Sequence, residues 1–513
     1  MINIILSIWI FLGTIIGQII ILFIGYSFMK LLPKHEEFPV LQRLAISYGL
    51  GVGILTSSMF IFILLGLHSR FSFIPIILIS LFLFLYLKMY KHLKNDMKSL
   101  YRLIKRRFKF NKVELFCLFL LLIELIYMIL IFLVYPPIQW DSVVFWDAKA
   151  RYIFFDGNFN FYNYYSEYYY YIVHLDYPLL VPLNCTFFYS IYFQPHHYVQ
   201  LTFLLFFLSL IITIFYSLRQ MNLNRSYALL ISTIVALIWE IFLYSSQISG
   251  EIVLTFYYTV STIFLSFYFY TRKRHYLIYS SIFMGFMALT KQEGVGLLIV
   301  NCGIFVFYNV LGLIKKETEF KQSIILIGIF TSIGLIIYLP WQVFSVINDL
   351  GTEYLLNIIQ LLNFQEIASD ILILLGATLL QILWSPFWIV FLILIVLNTK
   401  FLLKHKMFFL MTLCAFHLLV KYGIYLISPY DLAWQLATSL NREYMHLAPF
   451  AAFVLGIIIA KNQSLLLDIR KDEDLFQKKV VFYFTIIILA YITIVSVLFG
   501  VLNAYIPTAL NYN

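Results

Sequence analysis

From Met1 to Met29 no side chain carries a charge. A helix rises about 1.5 Å per residue, so roughly 20 apolar residues cross a ~30 Å hydrocarbon core. The stretch is long enough to span a bilayer. It lacks the basic start and small-residue cleavage site of a signal peptide, so it reads as a retained first helix. Similar apolar runs recur along all 513 residues. Charged residues make up 12% of the chain and mean hydropathy is +0.91, whereas a soluble domain averages about 25% charged. The expected fold is all-α, a polytopic transmembrane bundle of about fourteen helices. The expected spans are 3–31, 45–67, 71–90, 113–134, 198–217, 227–245, 252–270, 276–290, 294–314, 323–345, 370–397, 406–427, 446–461 and 479–501. Residues 276–314 also read as one broken helix plus a re-entrant piece. Pro386 is expected to kink the eleventh span.

The net charge of +10 invites a nucleic-acid reading, which the distribution excludes. The basic residues sit in short loops between apolar runs, as positive-inside bias places them. Ten Lys and Arg lie from Lys88 to Lys112, so that loop is cytoplasmic. Counting spans outward from it, the clusters at Lys30/Lys34/Arg43, Arg272/Lys273/Arg274, Lys315/Lys316/Lys321 and Lys400/Lys404/Lys406 fall on the same side. Cys117, Cys185, Cys302 and Cys414 show no metal-ligand spacing.

The opposite face differs in kind. The long loop 135–197 carries Asp141, Asp147, Asp156, Glu167 and Asp176 against only Lys149 and Arg151 as Lys or Arg. Val143 to Phe155 reads as an amphipathic surface helix. The tyrosine-rich run 162–171 reads as an interfacial belt, and a second short helix follows Pro178. On the same face fall Glu251, the Gly-marked break Lys291-Gln292-Glu293-Gly294, and Arg442 to His446. Acidic, aromatic and basic groups gathered on one face point to an active site, hence to an enzyme.

Asp141 follows a span directly. At that depth a carboxylate is partly desolvated, which favours it as a proton acceptor; the alternative is a helix N-cap. Arg442 offers a planar fork of donors suited to phosphate, or it snorkels to the interface. His446 lies four residues on, on the same helical face, and faces either that phosphate or the headgroups. Lys291 and Glu293 occupy a break that either lines a cavity or is a plain loop. Lys421 is an intramembrane charge and a second phosphate candidate. Glu251 either shares a divalent cation with Asp141 and Asp176 or orients Lys291 through an ion pair. Asp147 and Arg151 form an i,i+4 pair, serving structure or substrate contact together with Lys149.

The stretch Asp141-Ser142-Val143-Val144-Phe145-Trp146-Asp147 through Asp156-Gly157 resembles the first external loop of GT-C-type membrane glycosyltransferases. The nearest groups are the bacterial relatives of protein O-mannosyltransferases and lipid A aminoarabinose transferases. Their loop often opens with Asp-Glu; here it is Asp-Ser. His174-Leu175-Asp176-Tyr177-Pro178 resembles the Pro-rich element that opens the loop's second helix. Ser249-Gly250-Glu251 resembles the second external loop. Thr290-Lys291-Gln292-Glu293-Gly294 is similar to a Thr-Lys-Asn-Glu-Gly element, and Trp434 to Pro449 resembles a late external segment. The likeness covers 113–460. It divides the chain into an N-terminal three-helix module over 1–112, a catalytic core over 113–461, and a cytoplasmic loop with a last helix over 462–513.

The resemblance implies a bacterial plasma-membrane enzyme whose active site faces outward. It implies a polyprenyl-phosphate-linked sugar as donor and a protein, lipid or glycan as acceptor. An acceptor hydroxyl attacks the anomeric carbon with inversion and polyprenyl phosphate leaves. Asp141 and Glu251 would be catalytic. Lys291, Glu293, Arg442, His446, Asp176, Tyr177, Lys149, Arg151 and Lys421 would bind substrate. Some members use a divalent cation and others none, which leaves Mg or Mn open. The rivals are a lipid-linked glycan transporter or flippase, with charges near the midplane, and a polysaccharide polymerase or ligase.

Overall fold

The computed structural model describes residues 2–105, 109–159, 174–316, 318–350, 364–384, 386–404, 407–428 and 430–468. The tyrosine-rich run 162–171 and the span expected over 479–501 lie outside the described residues. Among the described residues every regular element is helical and no strand occurs. In lipid no water is at hand to satisfy backbone N–H and C=O groups, and a helix pairs them within its own segment. Nine described helices are long and apolar enough to cross a membrane, or up to 11 if each bent pair counts as one span. The chain is a multi-pass integral membrane protein.

The helices, in chain order, are α1 (Ile2–Met29), α2 (Val40–Leu64), α3 (Ile74–Tyr86), α4 (Met89–Lys105), α5 (Lys112–Val134), α6 (Ala148–Asp156), α7 (Leu180–Tyr192), α8 (Leu201–Gln220), α9 (Arg225–Ala236) and α10 (Trp239–Ser245). They continue with α11 (Gly250–Thr271), α12 (Arg274–Ala288), α13 (Gln292–Ile314), α14 (Phe320–Ile347), α15 (Phe364–Trp384), α16 (Pro386–Leu397), α17 (Thr399–Lys404), α18 (Phe408–Ile427) and α19 (Leu432–Asp468).

Four segments depart from expectation. The basic stretch after residue 88 is a helix, α4, set at 85° to α3 rather than a loop. The span expected over 227–245 is the pair α9 and α10, bent by 67°. The single kinked span expected over 370–397 is two helices, the second of which begins at Pro386; a proline opens a helix readily because its missing N–H is not needed there. The span expected from residue 446 begins at Leu432, so Arg442 and His446 lie within a helix. Residues 276–314 form two helices, α12 and α13.

The chain divides into two compact units. The first holds residues 1–109, 126–213 and 244–355. Its helices approach closely where glycines remove side chains. A Cβ on Gly25 would lie 1.7 Å from the Ser47 carbonyl oxygen, and one on Gly51 would lie 2.0 Å from that of Ile21. These two contacts weld α1 to α2 in antiparallel fashion. Ser261 and Ser280 exchange hydrogen bonds to each other's carbonyls at 2.9 and 2.8 Å, joining α11 to α12. Tyr48 donates to Gln18, and Gln18 donates to Thr202, at 2.8 and 3.0 Å. Such bonds add specificity where apolar packing alone resembles helix–lipid contact.

The second unit holds residues 110–125, 214–243 and 356–513. Arg225 grips Glu114 through Nε and Nη2 at 2.8 and 2.6 Å, and Ser226 adds a bond of 2.9 Å. This bidentate pair ties the start of α9 to the start of α5.

The glycine contacts generate a paired prediction. Gly51→Ala forces a methyl against a backbone oxygen and should cost about 1–3 kcal/mol. Gly296→Ala, whose Cβ meets nothing within 4 Å, should be neutral or slightly stabilising, by up to about 1 kcal/mol. Thermal melts in detergent should lower the midpoint for the first variant only; equal midpoints would show that α1 and α2 are not in close contact.

Candidate functional site

In the first unit, residues 138–147 are tied down at both ends. The Ile138 N–H donates to the Gln247 side chain at 2.9 Å. Trp146 sits where a Cβ on Gly250 would lie, 2.5 Å from its ring. Asp141 is half-buried between these ties. It precedes a π-helical turn, Ser142–Asp147, in helical geometry, and makes no N-cap hydrogen bond.

The turn runs into α6, which ends at Gly157 with φ 78°. The amphipathic helix expected over 143–155 is therefore present, with a π-turn at its front. Asp147 is buried and accepts from Tyr189 and from Arg151, the latter at 2.9 Å. Burial would lower the Arg151 pKa, but the Asp147 bond and charge hold it above its ordinary value. Burial, with Cys185 and Asp147 close by, pushes the Tyr189 phenol well up. Arg151 thus makes the expected i,i+4 pair with Asp147. Lys149 is 1% exposed; its ammonium donates to the His174 carbonyl and lies 5.8 Å from the Tyr177 ring centroid.

Helix α7 follows Pro178 as expected but is buried along nearly its whole length. It is a core element, with Thr14 and Tyr192 hydroxyls 2.7 Å apart.

The charged centre of this unit is Lys291. Thr290 ends the turn after α12, and Lys291 stands in extended geometry, φ −155°, just before α13. Gly294 lets the chain turn back tightly, because a Cβ there would lie 2.1 Å from the Met287 carbonyl. Glu251 lies in the first turn of α11, whose cap is Ser249 accepting from the Glu251 N–H at 3.0 Å. The Lys291 ammonium is 2.8 Å from Glu251 Oε1 and 2.8 Å from Glu293 Oε1. It also lies 5.9 Å from the Tyr177 ring centroid. Lys291 is 4% and Glu251 3% exposed, so the pair is desolvated.

Tyr177 stacks on His174 at 4.9 Å and packs near Trp146 at 6.0 Å. Gln292 donates to the backbone carbonyl of Asp176 at 2.7 Å, and Asp176 is buried. The structure therefore brings together Glu251, Lys291, Glu293, Asp176, Tyr177 and Lys149.

Beside this cluster lies an apolar cavity of about 420 Å³. Leu31, Ile54, Leu183, Phe286, Ile337 and Trp341 line it. Leu179, Leu180 and Leu289 also belong to its wall and stand two or three residues from Tyr177 and Lys291 in the chain. The Leu180 N–H donates to the Leu289 carbonyl at 3.3 Å, pinning the two segments together.

In the second unit, Lys421 on α18 and Glu443 on α19 approach to 2.7 Å, both buried. His446 Nδ1 is 3.4 Å from the same Glu443 oxygen. His417, also buried, lies one turn before Lys421. The Tyr422 and Tyr444 hydroxyls are 2.7 Å apart, and Thr378 donates to Tyr422 at 2.9 Å. Arg442 is half-buried on α19, with His446 one turn on.

Sequence reading missed Glu443 as a partner. Its signal was available: a buried lysine demands a nearby anion, and Glu443 stands three residues before His446. No group of three or more His, Cys, Asp or Glu side chains placed to hold a metal occurs among the described residues. Glu251, read from the sequence as sharing a cation with Asp141 and Asp176 or orienting Lys291, is held by the Lys291 ammonium, and among the described residues the three carboxylates form no group placed to hold a metal.

The sequence matches no protein-family model, and no curated protein or solved structure is detectably similar to it.

Lys291→Met would leave the buried Glu251 and the partly exposed Glu293 without their cation. Breaking a buried pair in this way costs about 3–5 kcal/mol. The double variant Lys291→Met/Glu251→Gln should lose less than the sum of the single losses, because neighbouring sites couple. Thermal melts of the four proteins measure this; strictly additive losses would show that the two side chains do not interact.

Proposed function

We propose that this protein is a GT-C-type glycosyltransferase that uses a polyprenyl-phosphate-linked sugar at the outer face of a bacterial plasma membrane. The reading rests on five motifs occurring in the family's order. The observation that carries it is the apolar cavity beside the Lys291 cluster. A lipid-linked donor needs an apolar space for its chain next to polar groups for its head, and ligand sites characteristically join the two.

Asp141 takes the acceptor hydroxyl's proton as the hydroxyl attacks the anomeric carbon, and polyprenyl phosphate leaves. The family likeness of Trp434 to Pro449 is what gives Arg442, with His446 one turn on, the charge growing on that phosphate. Glu251 and Glu293 orient Lys291, and Asp176 and Tyr177 shape the wall next to the cavity. The acceptor is a protein, lipid or glycan. No step is assigned to Mg or Mn.

A second reading, transport of a lipid-linked glycan, draws on one observation. The Lys421–Glu443–His446 set is buried within two spanning helices, where transporters keep their ionisable groups. Mass spectrometry of the purified protein for co-bound polyprenyl phosphate, followed by turnover with defined donors, separates the two. Transport without glycosidic bond formation favours the second.

Asp141→Asn should lower turnover about 10²-fold or more while donor binding persists. Near-normal turnover would remove Asp141 as the base. Arg442→Ala should lose about 3 kcal/mol of transition-state stabilisation. Arg442→Lys should be impaired too, because an ammonium lacks the planar fork. Measured kcat and donor affinity check both, and a wild-type Arg442→Ala would make the arginine an interfacial anchor.

A further inference from the structure

Helix α4 is held against the first unit by one seam and leaves three other faces free of that seam. Lys88, at φ 52°, turns the chain between α3 and α4, and the two helices cross at 85°. With the apolar α3 set into the bilayer, α4, bent 85° from it, lies along the surface. Its level is fixed by Asp96, which is buried in an otherwise exposed stretch. Asp96 accepts from Tyr26 at 2.8 Å and from Arg43 at 2.6 Å. Tyr26 lies three residues before the end of α1, and Arg43 three residues after the start of α2. The helix is therefore moored where α1 and α2 both reach the membrane boundary.

At 3.6 residues per turn, the side chains of α4 sort into four faces. Met89, Asp96, Leu100 and Leu103 form the seam, and none of them is fully exposed. Tyr90, Leu93, Met97, Tyr101 and Ile104 form an adjacent apolar stripe. All five are exposed, Ile104 at 74% and Met97 at 56%. Lys91, Lys94, Lys98, Arg102 and Lys105 form the next face, nearly opposite the seam. His92, Asn95 and Ser99 complete the circle, opposite the apolar stripe.

We infer that α4 is an interfacial helix that binds anionic phospholipid. Its apolar stripe sits in the acyl boundary, its basic face contacts headgroup phosphates, and its uncharged polar face looks to water. Three observations favour lipid over a soluble partner. The helix is bent 85° from the apolar α3, its mooring holds it at the ends of the spanning helices α1 and α2, and the basic face adjoins the apolar stripe. An interfacial helix has this arrangement, and basic residues near a membrane surface draw anionic lipid to it. By the positive-inside bias, the leaflet is the cytoplasmic one.

The test uses the full-length protein in detergent, supplemented with phosphatidylglycerol or phosphatidylcholine. Wild type should melt about 3 °C or more higher with phosphatidylglycerol, as expected of a ligand that binds only the folded state. Native mass spectrometry should show phosphatidylglycerol retained in preference. The variant Lys91→Gln/Lys94→Gln/Lys98→Gln/Arg102→Gln should lose that difference and keep its phosphatidylcholine midpoint. The same phosphatidylglycerol preference in the variant would overturn the inference, and so would an equal shift with inorganic phosphate, which would mean a free-anion site. A second arm does not depend on that variant. Nitroxides on Met97→Cys and Ser99→Cys are compared in phosphatidylglycerol vesicles. Met97 should be reached by oxygen and Ser99 by a water-soluble nickel chelate. Water exposure at both would make the stripe a docking face for a soluble protein and end the lipid assignment.

Discussion

A charge taken out of water must be compensated, and in this bundle four ion pairs do so. Burying one ion costs several kcal/mol even after relaxation. Lys291 is met by Glu251, Lys421 by Glu443, Arg225 by Glu114 and Arg43 by Asp96. The pairs join different helices, from the consecutive α18 and α19 to α5 and α9, whose Glu114 and Arg225 are 111 positions apart. Apolar surface cannot choose among helix neighbours in lipid, because a leucine side chain is as content with an acyl tail as with another leucine. A buried ion pair does choose, because the wrong neighbour leaves both charges uncompensated.

The same requirement explains what could be read from the sequence. Long apolar runs fix the positions of α1, α2, α5, α8, α11 and α14 to within a few residues, since length and hydropathy alone decide whether a segment can span. Pairing decides the rest, and pairing is invisible to a sliding window. The stretch Leu432 to Met445 carries Gln, Thr, Ser, Asn, Arg and Glu, so it reads as a loop. It is helical, and Glu443 is buried because Lys421 on α18 meets it there. Helix α4 reads as a loop for the opposite reason: its charges rule it out as a span, although its 3.6-residue amphipathic periodicity is present in the sequence.

The candidate site was legible as a set of residues and not as an arrangement. Glu251, Lys291 and Glu293 stand out as charges at the ends of apolar runs. That Lys291 sits between two carboxylates follows from two separate local devices. Ser249 caps α11 and so fixes the first turn that carries Glu251. Gly294 lets α13 start close beneath α12 and so turns Glu293 back toward Lys291. Lys149 shows the limit of the approach, since a lysine on an amphipathic surface helix is expected in water. It is buried because the His174 carbonyl and the Tyr177 ring take the place of its hydration.

These compensations bear on how an anionic ligand could be held. A phosphate approaching Lys291 would meet two carboxylates at 2.8 Å from the same ammonium, so most of that cation's field is already spent. Lys421 is in the same position with Glu443. In a low-dielectric interior the field at a ligand is set by the net charge of the group rather than by the presence of one cation. The lysines are therefore poor sole carriers of a phosphate and good orienters of their own carboxylates. A guanidinium differs: it keeps its charge under any local pH, and its several N–H groups can serve one carboxylate and still point at a second acceptor. Lys291, held between Glu251 and Glu293, is therefore better suited to fixing that local arrangement than to carrying a phosphate by itself.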